Sequence, residues 1–93
     1  MDKVKSSVWI FHGTGGQFAS GVFETLEKAE EWILNNKLNG MLTEYPIDVG
    51  CYDWAISNGS FEAKSHLQTQ SNFIGKFTSA SQDHYHYEDG SKD

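Results

Sequence analysis

The alternation along SSVWIFH, residues 6–12, predicts a strand with Val8, Ile10 and His12 on one face and Trp9 and Phe11 on the other. Apolar side chains on both faces predict a strand inside a sheet, covered from two sides. Gly13-Thr14-Gly15-Gly16 breaks the run, and Phe18 to Phe23 predicts a second strand, giving a hairpin with a glycine-supplied loop. The period then lengthens to that of a helix. Thr25 predicts an N-cap for a helix from Leu26 to Asn36, closed by Asn39-Gly40. At about 100° per residue, Leu26, Ala29, Trp32 and Ile33 gather on the side that should pack on the sheet. Glu27, Glu30 and Glu31 fall opposite, framing Leu34.

Gly40 to Tyr45 predicts a third strand, stopped by Pro46. Asp48 predicts the cap of a second helix running through Ser57, with Val49, Tyr52 and Ile56 on one face and Trp54 elsewhere. The polar, aperiodic segment 62–70 predicts a loop. Ser71 predicts the cap of a short helix carrying Phe73, Ile74 and Phe77, and Ser81 to Glu88 a last strand. Residues 1–5 and 89–93 are left as frayed ends. The sum is a single α+β domain: an antiparallel sheet of about four strands with two or three short helices packed mainly on one face.

Composition changes this picture in two ways. Thirteen of the 93 residues are aromatic, and each buried ring removes roughly 150–250 Å² from water, so rings should carry the core. There is no arginine, and seven lysines stand against thirteen carboxylates for a net charge of -6. Phosphate recognition needs clustered cations, so nucleic-acid binding is excluded on charge; a basic protein partner is favoured instead. The apolar run Val8 to Phe11 is too short for a membrane span or signal core. The lone Cys51 rules out an internal disulfide and fits a reducing, cytoplasmic setting.

Candidate chemistry is sparse. In a strand His84 and His86 share one face, with Tyr85 and Tyr87 on the other. The two imidazoles offer a metal pair, with His12, His66, Cys51, Asp83 or Glu88 as further ligands. A structural zinc site needs four ligands at recognisable spacing, and only His-x-His has it, so a tyrosine-inward, histidine-outward strand is the plainer reading. His12-Gly13-Thr14-Gly15-Gly16 superficially resembles the glycine-rich oxyanion loops of hydrolases. The chain lacks both a Gly-x-Ser-x-Gly elbow and a Gly-Lys-Ser/Thr phosphate loop, which leaves turn chemistry or the lining of a ligand cleft. Cys51 near a helix N-terminus should have its thiolate favoured by the dipole. Nucleophilic catalysis would further require His12, His84 or His86 within hydrogen-bond reach; an inert buried thiol is the commoner case.

Four blocks carry a family resemblance: Val8-Trp-Ile-Phe-His-Gly13, Ser20-Gly-Val-Phe23, Tyr45 to Phe61 and Phe77 to Tyr87. Their order resembles that of a family of small uncharacterised bacterial domains of unknown function, over Val8 to Gly90. The resemblance implies a small, soluble bacterial domain, and no catalytic or cofactor-binding residues are carried over from it. The function these readings predict is a non-enzymatic acidic module, of inhibitor or immunity type, that binds a basic protein through Glu27, Glu30, Glu31, Leu34 and Trp54. The alternative is a small-molecule or metal-binding domain using the His12–Gly16 loop and His84/His86. A third is a homo-oligomer whose exposed rings are covered by its own copies.

Overall fold

The structure, a computed structural model, describes residues 7–78 and 81–93. The expected fraying of residues 1–5 lies outside them. The elements are β1 (Ser7–Gly13), β2 (Gly21–Phe23), α1 (Leu26–Asn35), β3 (Gly40–Pro46), α2 (Cys51–Ser57), a 3₁₀ turn (His66–Thr69), α3 (Ser71–Lys76), β4 (His84–Glu88) and β5 (Ser91–Lys92). The strands form one open antiparallel sheet in the order β2-β1-β3-β4-β5. The α+β class therefore holds, with five strands where the pattern predicted about four.

Register explains which rings become core. Phe11 sits opposite Leu42, and Leu42 opposite Tyr85, so one row of side chains crosses the sheet on a single face. Helix α1 covers that face. Trp9, Phe11, Ala29, Ile33, Leu42 and Tyr87 are buried together, with Phe23, Leu26, Trp32, Leu38 and Tyr85 packed around them. Trp32 meets Phe11 edge-on at 5.7 Å and Trp9 stacks on Tyr85 at 5.8 Å. All four apolar positions predicted for the inner stripe of α1 are in this cluster.

Helix α1 starts as expected: the Thr25 hydroxyl accepts from the Lys28 amide. It ends differently. Lys37 adopts φ 52, its amide donates to the Leu34 carbonyl, and the Leu38 amide reaches back to Ile33. That is a Schellman closure with lysine where glycine is usual, two residues before the Asn39-Gly40 stop.

The carboxy-terminal residues read as a frayed tail are in fact paired. Asp89 (φ 52) and Gly90 (φ 84) make a two-residue hairpin turn between β4 and β5. Asp-Gly is the composition such a turn selects, because both central residues need positive φ. The turn docks on the end of α1, with the Gly90 amide donating to the Leu38 carbonyl at 2.9 Å.

A second ring cluster lies beyond the end of β3. Tyr52, Phe61, Phe73 and Phe77 contact one another at 4.8–6.2 Å, with Tyr52 donating to the Gln68 carbonyl. The buried face of α2 is Tyr52 with Ala55; Val49 precedes the helix and Ile56 is 42% exposed, so the expected Val49/Tyr52/Ile56 stripe is not the packed one. Asp48 (φ 65) does not cap α2, whose N-cap is Gly50, and Ser71 opens α3 behind an N-cap at Gln70. Buried Gln82 joins this cluster to the sheet: its amide donates to the Glu44 carbonyl at 3.1 Å and accepts from the Thr78 hydroxyl.

Candidate functional site

The predicted acidic face of α1 divides in two. Glu27 and Glu31 are exposed and Leu34 is half-exposed beside them. Glu30 instead turns toward the sheet, accepts from the Tyr87 hydroxyl at 2.6 Å and pairs with Lys92 at 2.9 Å. The Lys92 ammonium lies 4.2 Å from the centre of the Tyr85 ring, so Glu30 latches the β4–β5 hairpin onto α1. The correction has a local cause: β5 supplies the cation, and β5 was not foreseen.

These bonds hold the Glu30 carboxyl below its ordinary value of 4.5, the Tyr87 hydroxyl contributing most and Lys92 next. Burial first, and then the bond to Glu30, push the Tyr87 phenol up from 10.0. The signs fix a pH profile. The lowered carboxyl contributes stability above its unfolded value, lost as pH falls through the folded one; the raised phenol contributes stability below about 10, lost as pH climbs further. Glu30→Gln should therefore lower stability by about 1–2 kcal/mol at neutral pH and flatten the acid limb of a urea-midpoint profile. An unchanged acid limb would remove Glu30 from the latch.

The histidines keep their predicted orientation. Tyr85 and Tyr87 face α1, while His84 and His86 point to the opposite side with rings 5.7 Å apart. His84 Nδ1 lies 2.8 Å from the Gln82 carbonyl, which occupies that nitrogen. His12 is on the same face but separated from His86 by Met41, roughly 10 Å across two strand spacings. Among the described residues no group of three or more His, Cys, Asp and Glu side chains converges to hold a metal. His66 lies away on the 3₁₀ turn.

Cys51 is the first residue of α2, but burial raises its thiol above the ordinary 9.0, with a bond to Gln82 opposing. The thiolate preference expected from the helix end is overridden by desolvation.

Two concavities among the described residues bear on the candidates. The wider, about 930 Å³, brings together His12, Gly13, Thr14, Lys37, Asn39 and His86 between the β1 loop and the β4–β5 hairpin. Here the glycine loop is a turn, with the Gly16 amide donating to the Gly13 carbonyl at 2.9 Å. Asn39 spans the floor, accepting from Thr14 through its carbonyl and from the Asp89 amide through its side chain.

The narrower, about 550 Å³, sits at the other end of the sheet, where Trp54, Pro46, Ile47 and Val49 form apolar wall and Glu44, Asp48 and Asp83 supply carboxylates. Its frame is tied down: the Ser7 hydroxyl donates to Glu44, and the Glu44 amide donates to the Asp83 carbonyl at 2.9 Å. Trp54 is half-buried in this wall. No α1 residue lines the cleft, so Trp54 and the α1 carboxylates are separate surfaces. Sequence reading missed Glu44 and named Asp83 only as a metal-ligand candidate, because only the β3–β4 pairing brings the two to one end of the sheet. No helix is long and apolar enough to cross a membrane among the described residues.

A family model described as a domain of unknown function, DUF7710, matches residues 8–93. Neither a curated protein nor a solved structure matches the chain. The match spans all five strands and three helices and runs through the four blocks that carried the resemblance. The chain belongs to the DUF7710 family.

Proposed function

We propose that the domain is a non-enzymatic acidic module that binds a basic protein, and that the partner places a lysine or arginine side chain in the Trp54 cleft. The observation that carries the reading is the juxtaposition of an indole wall with Glu44, Asp48 and Asp83 around about 550 Å³. An indole face attracts a cation and carboxylates complete its charge, while Ile47 and Val49 accommodate the aliphatic stem. The carboxylates are spread around the walls and do not converge. That suits a long cationic side chain better than a bare metal ion. The net charge of -6 adds long-range attraction for such a partner. Exposed Glu27, Glu31 and Leu34 on α1 offer a second contact. A bacterial, cytoplasmic inhibitor or immunity-type role accords with this chemistry.

The test uses oligolysine and oligoarginine peptides, with oligoglutamate as control, followed by NMR on the intact chain. The basic peptides should shift the Trp54 indole N–H, and Trp54→Ala should weaken binding about 10–30-fold, the loss of one aromatic anchor. Added salt should weaken it further. Shifts confined to α1, or none for either basic peptide, would overturn the assignment of the cleft.

One observation favours a second reading, a small polar ligand between His12 and His86: the glycine loop and His86 do share the 930 Å³ groove. Ligand-screening shifts at both His12 and His86, absent in a His12→Ala/His86→Ala double variant, would establish it.

A further inference from the structure

The molecule measures 45 × 41 × 20 Å, and its radius of gyration is 14.9 Å against about 12 Å for a compact chain of this length. A thickness of 20 Å is that of a sheet and one helix layer, and α1 is on the Trp9/Phe11 side. Away from the Tyr45 end, where Cys51 and Thr78 approach, the other side carries Ile10, Val22, Met41 and Thr43, with His12, His84 and His86 beside them, as the strand registers dictate. Val22 is 63% and Met41 38% exposed there. This is the unexpected half of β1: its second face was predicted to be covered, and within one chain Ile10 and His12 stay only partly so.

We infer that this face is covered by a second copy of the same chain, sheet against sheet. Charge selects the occupant. The chain has thirteen carboxylates, yet by register the strand residues on this face include one, Glu88, at the end of β4. A basic partner finds a single strand carboxylate there to pair with. Two copies at -6 each repel least where carboxylates are fewest, and this is such a place. Facing sheets pack about 10 Å apart with interdigitating side chains, and a two-fold axis makes the same apolar row serve both partners.

Area sets the strength. Five strands at about 4.8 Å and five residues at about 3.3 Å give roughly 400 Å² of sheet plane per copy. Two copies thus bury roughly 800–1,000 Å², at the low end for specific association, so the dimer is weak and reversible, with Kd of roughly 10–300 µM. Salt should strengthen it by screening the net charge, opposite to its effect on the Trp54 cleft.

Sedimentation of the full chain tests this. The weight-average mass should climb from 10.5 kDa toward twice that value between about 10 µM and about 1 mM, and climb further with added salt. Met41→Glu and Val22→Glu, both at exposed positions and checked for folding by circular dichroism, should each stay at the monomer mass. Leu34→Glu, on α1, should associate like the wild type. A wild-type mass that stays at 10.5 kDa through about 1 mM would overturn the inference. So would association that survives both face variants but is abolished by Leu34→Glu.

Discussion

Truncating Phe11 to alanine should remove about 3–5 kcal/mol of folding free energy, a large share of the ~5–14 kcal/mol available to a domain of this length. Phe11 is 1% exposed, its ring edge-on to Trp32 and beside Leu42 across the β1–β3 pairing. The neighbours belong to a sheet whose register fixes them, so the vacated space has little freedom to collapse. Urea titration should show a lower midpoint at unchanged slope. Val22→Ala, exposed on the opposite face, should stay within about 0.5 kcal/mol. A loss under about 1 kcal/mol at Phe11 would mean that the core is centred elsewhere.

Gly40→Ala should be nearly as damaging, at about 2–4 kcal/mol, though it removes nothing. A Cβ on Gly40 would lie 2.2 Å from the His12 carbonyl oxygen, 2.7 Å from Phe11 Cζ and 2.9 Å from Gly13 Cα. Two of those three atoms are backbone, held by the Gly13–Gly40 pairing of β1 with β3. Relief requires parting the strands or expelling the Phe11 ring. Gly75 makes the opposite case. It lies within α3 with nothing within 4 Å of its added Cβ, so Gly75→Ala should stabilise by about 0.5–1 kcal/mol. Thermal melts of the two variants should move in opposite directions, and a common direction would contradict the packing described for Gly40.

What was legible followed from local periodicity. The inner stripe of α1, the Thr25 cap, the β1 alternation and the outward histidines of β4 each depend on spacing within a few residues. What was missed depends on distance along the chain. Asp48 and Ser71 have good capping chemistry, but their backbones are set by the connections from β3 and from the 3₁₀ turn. Trp54 was foreseen off the inner face of its helix, but its cleft was invisible because Glu44 and Asp83 meet only through strand pairing. Glu30 was grouped with Glu27 and Glu31 by helical angle; Lys92, 62 positions on, drew it away. The Asp89-Gly90 hairpin was legible and overlooked, since short polar ends resemble tails until turn chemistry is weighed.

The two ring clusters have a kinetic consequence. Each has its own elements, and among the described residues the Tyr52/Phe61/Phe73/Phe77 group reaches the sheet through side chains such as Gln82, Cys51 and Tyr45. A unit joined in this way opens on its own. Amides of α2 and α3 should exchange with solvent by a sub-global route while those of β1 and β3 await complete unfolding. Limited proteolysis would then cut first between Phe61 and Phe77, leaving the sheet and α1 folded beneath the nick.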